Sequence, residues 1–130
     1  MSKGALKVET ARLLCVVRYK IDLTQRAAFA RYAELWEAIV PDHGGEHHGF
    51  FLTTELAQQP AISFGGLGRE AAPDEAYALF SFPDETAYHA YRASVPSDPR
   101  CAEATALVEA SGCILSYERG FQLAINPPAG

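Results

Sequence analysis

The distribution of apolar and polar residues along the chain predicts four strands and two helical regions. Four short stretches, residues 13–21, 48–54, 76–82 and 113–121, are rich in Val, Leu, Ile, Tyr and Phe and are bounded by polar or turn-forming residues. Such stretches are typical of β-strands. Between them lie two longer stretches whose apolar residues recur at helical spacing. The predicted order is β-α-β-β-α-β, the ferredoxin-like split motif with two helices on one face of a four-stranded antiparallel sheet.

The first helix is predicted between Thr24 and Pro41. Thr24 is a residue type that caps helix N-termini. Pro41 is expected to end the helix, because the residue before a proline avoids helical backbone angles. Gly44 and Gly45 then predict a turn.

The second helical region is predicted to be interrupted and then restarted. Asp84 is the expected N-cap, and Pro96 breaks the pattern. Asp98 and Pro99 are suited to the N-cap and the first helical position of a restarted helix. Gly112 is expected to end this helix in a left-handed conformation.

The chain is predicted to form a single domain. Its 130 residues suit one domain, which we place at 12–123, after an N-terminal arm of residues 1–11 and before a C-terminal tail of residues 124–130. Residues 55–75 form a connection longer than an ordinary hairpin loop, and such loops often act as lids or binding segments.

The apolar residues on both faces of the first strand predict that a second copy of the chain packs against the sheet. Its odd positions are apolar, and so are two of its even positions, Leu14 and Val16. Two helices cover only one face of a four-stranded sheet, so the other face needs a different partner. We expect a homodimer in which two sheets pack against each other.

Composition excludes several classes of partner. The formal net charge is -5 and there is no basic run, which argues against nucleic acid and anionic membranes. The longest apolar run near the N-terminus has five residues, too few for a signal peptide or a membrane span. The three cysteines, Cys15, Cys101 and Cys113, match no zinc or redox spacing, so buried free thiols in a cytoplasmic protein are expected.

Four segments of the chain resemble the NIPSNAP family. They are Trp36–Gly45 with Gly49–Leu52, Ala78–Asp84 with Tyr88–Arg92, Ser97–Pro99, and Ser116–Phe121. The resemblance covers about residues 12–123 and implies a dimeric α/β-barrel with a pocket between sheet and helices. The wider superfamily includes monooxygenases, isomerases, haem-dependent enzymes and domains without known activity. The resemblance therefore implies no catalytic residues, and we predict no cofactor.

One loop concentrates groups that ligate metals. Asp42, His43, Glu46, His47 and His48 lie within seven residues. Imidazole and carboxylate groups together bind divalent transition metals, so a metal or ligand site is one hypothesis. The simpler interpretation is a solvated glycine turn without a metal, in which His47 and His48, if they begin a strand, point to opposite faces.

Two further groups are candidate ligand-binding residues. Arg18 and Glu118 are expected to face each other on adjacent strands, either as a simple ion pair or with Arg18 anchoring a ligand carboxylate or enolate. Tyr19, Tyr77 and Tyr117 come from three strands and either line a pocket or complete the core.

The sequence thus predicts a NIPSNAP-like protein of uncharacterised function that binds a small molecule between sheet and helices. One alternative is a cofactor-independent monooxygenase or isomerase of a small aromatic or polyketide-like metabolite. His47, His48 or Arg18 would then handle the proton or the enolate. Another is an interaction module whose pocket performs no chemistry. Convergent polar groups with perturbed pKa values in the pocket would favour the enzyme. A filled or wholly apolar pocket would favour the interaction module.

Overall fold

A computed structural model describes residues 12–126 of the chain. The strands are β1 (Leu13–Ile21), β2 (Glu46–Leu52), β3 (Glu75–Phe82) and β4 (Ile114–Gln122), and the helices are α1 (Arg26–Asp42), α2 (Glu85–Ser94) and α3 (Pro99–Ser111). Single turns of 3₁₀ helix cover Leu23–Gln25 and Val95–Ser97. The predicted arm and the last four residues of the predicted tail lie outside the described residues.

The four strands form one antiparallel sheet in the order β2-β3-β1-β4. This order and the succession of elements confirm the ferredoxin-like α+β fold. The predicted bounds of β1 are correct, and those of the other three strands differ by one or two residues at one or both ends.

The start of α1 differs from the prediction. The Asp22 carboxylate, not Thr24, is the capping group, because it accepts hydrogen bonds from the Thr24 backbone N–H (2.9 Å) and from Thr24 Oγ1 (2.7 Å). Thr24 therefore lies inside a 3₁₀ turn, and α1 begins at Arg26. A short aspartate side chain reaches the N–H two residues ahead, which favours this turn.

The end of α1 also differs, since Pro41 lies in its last turn and the helix continues to Asp42. A proline this close to the C-terminus removes one helical hydrogen bond without interrupting a longer run. Val40 O accepts hydrogen bonds from His43 N–H and Gly45 N–H, and Gly44 adopts a φ of 92°, a conformation that glycine takes without steric cost.

The caps predicted for the other helices are confirmed. Asp84 accepts a hydrogen bond from Ala87 N–H at 2.8 Å, and Asp98 accepts one from Arg100 N–H at 2.9 Å. Pro99 is the first residue of α3, and Gly112 ends it with a φ of 66°.

The sheet has a helix-facing side and an open face. The alternate β1 residues Cys15, Val17, Tyr19 and Ile21 are at most 7% exposed and pack in the core with the helices. The other set, Leu14, Val16, Arg18 and Lys20, points to the open face, where the two apolar residues are half-buried and the two charged ones are exposed. The face opposite the helices therefore carries an apolar centre with charged residues beside it.

The predicted long connection joins β2 to β3. Residues 53–74 contain no helix or strand, and most of their side chains are exposed, including Phe64 (80%) and Leu67 (90%). Within residues 12–126, no helix has the length and apolarity that crossing a membrane requires.

The cysteines are free, as expected, although only Cys15 and Cys113 are fully buried. Burial raises the pKa of the Cys15 thiol to about 11. Cys101 is only partly buried, because α3 packs it at the edge of the core.

Candidate functional site

A cavity of about 430 Å³ lies between the helix-facing side of the sheet and the three helices. All four strands and all three helices contribute to its wall. Its interior is largely aromatic, with side chains of Tyr19, Tyr32, Trp36, Phe50 and Phe80. Small-molecule sites are typically concave, mostly apolar and of about 300–1,000 Å³, so this cavity is the candidate site.

His47 is the histidine that lines this cavity. Its ring stacks between Phe50 and Phe80, with centroids 5.1 and 5.5 Å away. Burial, assisted by neighbouring His48, lowers the pKa of His47 to about 4, so the ring is neutral at pH 7. Its Nδ1 accepts a hydrogen bond from Gly49 N–H at 2.9 Å, which places the proton of the neutral ring on Nε2. His47 therefore offers the cavity an N–H donor.

A pair of tyrosines forms a second polar group. The hydroxyls of Tyr19 and Tyr32 share a hydrogen bond of 3.4 Å, and burial raises the pKa of both. Each phenol therefore stays protonated near neutral pH. Whichever hydroxyl accepts the shared bond keeps its own proton, so the pair can still donate one hydrogen bond to a ligand.

Trp36 supplies a donor without a partner. Its indole Nε1 is buried and forms no hydrogen bond with any residue in 12–126. The indole lies near the Tyr32 hydroxyl and slightly opposes the rise that burial causes in the pKa of Tyr32, but the geometry does not complete a hydrogen bond. A buried unsatisfied donor is costly, so a bound acceptor at this point would be stabilising. Sequence reasoning missed this role of Trp36.

The mouth of the cavity is charged. Arg92 on α2, Glu109 on α3 and Arg119 on β4 line it, together with Tyr117. Tyr117 is 68% exposed, with its ring centroid 6.1 Å from that of Tyr19, so it joins the buried wall to the solvent. Sequence reasoning did not identify either arginine as part of the site.

The sequence did contain a signal for Arg119. Tyr117, Arg119 and Phe121 alternate along β4, so all three point to the same face, and that face is the helix-facing one because they pair with Tyr19, Val17 and Cys15. An arginine between two aromatic residues on an inward-facing row indicates a polar site at that point.

Arg18 does not reach this cavity. It points to the open face and forms an ion pair of 2.7 Å with Glu118, its cross-strand partner. Both side chains are well exposed, and this geometry is that of the simple ion pair considered above. Tyr77 is opposite Arg18 on β3 and shares the open face, so it is separated from Tyr19 and Tyr117.

His48 also points away from the cavity. A bulge in β2 interrupts the pairing between His47 and Gly49, and His48 Nε2 shares a hydrogen bond of 2.7 Å with Ser81 Oγ. Ser81 is 2% exposed and also accepts a hydrogen bond from Arg12 Nε. Glu46 forms an ion pair of 2.8 Å with Arg12. His48 and Glu46 therefore belong to one network of polar side chains at the edge of the open face.

His43 and Asp42 lie in a third place, between the end of α1 and the start of α3. His43 donates from Nε2 to the Asp98 carboxylate at 2.9 Å and shares a hydrogen bond with Ser94 Oγ. Arg100 bonds Asp98 and also Asp42, at 2.6 and 2.9 Å. Arg100, helped by His43, holds the pKa of Asp98 well below its usual range. Arg100 therefore ties the end of α1 to the start of α3.

The five candidate metal ligands are thus divided among three places. His47 faces the cavity, Glu46 and His48 lie at the open face, and Asp42 and His43 are bonded to α3 and its neighbouring turn. Among residues 12–126, no group of three or more His, Cys, Asp or Glu side chains could hold a metal ion.

We expect the burial of neutral His47 to make folding sensitive to acid. Since the pKa of His47 is about 4 in the folded chain and about 6.5 in the unfolded chain, the unfolded state binds more protons between these values. The contribution of neutral His47 to the free energy of unfolding should therefore be present in full above pH 6.5. It should fall by about 1–2 kcal/mol from pH 7 to pH 5, since solvent around the partly exposed ring screens part of the effect. Urea denaturation at the two pH values measures this difference.

His47→Gln should remove most of that pH dependence, because its side chain does not titrate. His89→Gln is the matched control, since His89 is exposed on α2 beside Glu85. An equal loss of stability between pH 7 and pH 5 in wild type and His47→Gln would contradict the prediction.

Comparison with known proteins identifies the fold. No protein-family model matches the chain, and no match is found among the curated proteins. Solved structures do match. A NIPSNAP family protein of unknown function from Agrobacterium tumefaciens has a TM-score of 0.63 and 17% identity, covering 88% of this chain and 89% of its own. An uncharacterised NIPSNAP domain protein from Burkholderia xenovorans has a TM-score of 0.65 and 13% identity, covering 90% and 99%.

A third match, from Lactobacillus acidophilus, is a proposed monooxygenase with a TM-score of 0.57 and 12% identity. It covers 90% of this chain and 46% of its own length. The chain is therefore an α+β protein of the ferredoxin-like class. Its structural neighbours include NIPSNAP proteins, and it has the NIPSNAP fold over most of its length, which confirms the resemblance seen in the sequence at the level of the fold.

Proposed function

We propose that residues 12–123 form a domain that binds a small, partly aromatic molecule in the cavity between sheet and helices. The observation that carries this proposal is the cavity itself, about 430 Å³ of open space with an aromatic wall. The His47 and Trp36 N–H groups and the tyrosine pair supply it with donors that a ligand can satisfy. An interaction module without a ligand is expected to have a filled or wholly apolar interior, whereas this cavity is open and carries polar groups.

A second candidate is an enzyme without a cofactor, and His47 is the observation that favours it. A neutral imidazole with its proton on Nε2 can donate a hydrogen bond to a carbonyl or enolate oxygen, which stabilises charge as it develops there. Because Nδ1 is already occupied by Gly49 N–H, His47 acts as a donor in this arrangement and not as a general base. A monooxygenase or isomerase of an enolisable aromatic metabolite would use such a donor. Arg18 and His48 face away from the cavity and have no part in it.

The working unit in this proposal is a homodimer formed through the open face. Leu14, Val16 and Leu79 are half-buried in the isolated chain and would be covered by a second sheet. The neighbouring charges are already paired, Arg18 with Glu118 and Lys20 with Asp74, so a second copy would meet few unpaired charges. We place this dimer in the cytoplasm, where the three free cysteines would remain reduced.

Trp36 gives a direct test of ligand binding. It is the only tryptophan in the chain, so an N–H correlation spectrum contains one indole signal, and that signal comes from the cavity wall. A saturable shift of this signal on titration with small aromatic molecules such as phenylacetamide or phenylacetate is the expected result.

Thr105→Phe should weaken this binding about tenfold or more, since an exposed cavity-lining residue of α3 would then occupy part of the mouth. Ala106→Phe adds the same ring at the next position of α3, outside the cavity wall, and should leave the titration unchanged. An indole signal that does not respond to any aromatic probe would overturn the proposed function.

A further inference from the structure

The arginines of this chain divide into two groups. Five of the eight lie within 4.0 Å of a carboxylate oxygen: Arg12, Arg18, Arg31, Arg69 and Arg100. Among the described residues, Arg26, Arg92 and Arg119 form no ion pair. Two of these three, Arg92 and Arg119, line the mouth of the cavity.

Arg119 lies on the inward-facing row of β4, where an apolar side chain would ordinarily complete a core. Its guanidinium carbon is 5.2 Å from the centroid of the Phe121 ring, so it rests on an aromatic face. Its positive charge also opposes the rise in the pKa of buried Cys15, on the strand beside it. Arg92 acts similarly on the pKa of Tyr91, whose side chain forms part of the cavity wall. Each arginine therefore lies close enough to a buried group for its charge to act on it.

The remaining polar groups of the cavity are mostly donors. Trp36 Nε1 has no partner within residues 12–126, His47 offers Nε2–H, and the tyrosine pair has one further proton to donate. Glu109, at the mouth, is the one carboxylate among the described residues that line the cavity. A cavity with this excess of donors and positive charge is complementary to a ligand that is rich in acceptors and negatively charged.

We propose that the cavity binds an aromatic anion, with its ring packed among Tyr19, His47 and Phe50 and its acidic group facing Arg92 and Arg119. This inference rests on the proposed function and adds the chemical class of the ligand. The overall charge of the chain is -5, so a preference for an anion would come from these two arginines and not from general attraction. The chemistry is shared by aromatic carboxylates and aryl phosphates.

The test compares two probes that differ in charge. Phenylacetate and phenylacetamide have the same ring and nearly the same shape, but only the acid is ionised at pH 7. Titrations followed by the Trp36 indole signal should show that the acid binds about tenfold or more tightly than the amide, the ratio expected for charge-assisted hydrogen bonds. Phenyl phosphate, as a third probe, distinguishes a phosphate group from a carboxylate, and tighter binding of either anion than of the amide supports the proposal.

Variants assign the preference to the two arginines. The double variant Arg92→Gln with Arg119→Gln should bind acid and amide equally, and Arg→Lys at both positions should keep part of the preference. Arg26→Gln is the matched control, because Arg26 is exposed, unpaired among the described residues and outside the cavity wall. It should leave the ratio unchanged.

Equal binding of acid and amide by wild type would overturn this inference while leaving the proposed function intact. An equal loss of the preference in Arg26→Gln would also overturn it, because the effect would then be one of overall charge. If neither anion nor amide shifts the indole signal, the proposed function fails as well.

Discussion

Phe82→Ala is expected to destabilise the protein by about 3–5 kcal/mol, the cost of removing a fully buried aromatic side chain and leaving a cavity. Phe82 ends β3 and is 0% exposed. Its ring lies 4.8 Å from Tyr91, 5.5 Å from Tyr88 and 6.0 Å from Phe80, measured between ring centroids. Since a domain of this kind has about 5–15 kcal/mol of stability in total, the variant should lose a substantial part of it. Urea denaturation followed by circular dichroism measures the loss.

Phe121→Ala is the matched control. The ring centroid of Phe121 also lies close to that of Tyr88, at 5.0 Å, but Phe121 is 44% exposed. A half-exposed ring contributes less apolar burial, so about 1 kcal/mol is expected. If both substitutions cost the same, Phe82 is not the packing centre that the structure indicates.

The second large effect is expected at the open face, where Val16→Glu should prevent dimerisation. Val16 lies at the middle of β1, opposite Leu79 on one side and Gly120 on the other. A carboxylate there would be buried without a partner between the two sheets, which costs several kcal/mol per subunit pair, so the dissociation constant should rise about a hundredfold or more. The isolated chain should still fold, because this face would then be solvated.

Light scattering after size exclusion measures this directly. Wild type should have about twice the chain mass of 14.1 kDa, and Val16→Glu should have the mass of one chain. Ala30→Glu adds the same charge on the exposed side of α1 and should remain dimeric. A wild-type protein that is monomeric at micromolar concentration would reject the proposed dimer.

Local sequence signals were sufficient for most of the secondary structure. Asp84, Asp98 and Gly112 acted as predicted because a helix cap depends on residues within three or four positions of it. The same reasoning failed at Thr24 and Pro41, for a different local reason at each. Asp22 captures the Thr24 N–H, and the final turn of α1 tolerates a missing donor at Pro41.

The candidate site was predicted less completely. The alternation of side chains along a strand predicted that His47 and His48 would point to opposite faces, but it did not indicate which of them would reach the cavity. His43 was grouped with them by sequence proximity, whereas its partner Asp98 lies 55 residues away. Its role depends on how α1 packs near α3, and no local pattern records that contact.

The amino-acid sequence by itself determined the order of strands and helices, the caps at Asp84, Asp98 and Gly112, and the alternation of faces, because each depends on backbone preferences and spacing over a few residues. Only the tertiary structure decided that Trp36 keeps an unpartnered indole N–H, that His47 is desolvated between Phe50 and Phe80, and that Arg92 and Arg119 share one cavity mouth. These properties arise from groups that are distant in the chain, so they exist only once the sheet and helices have packed.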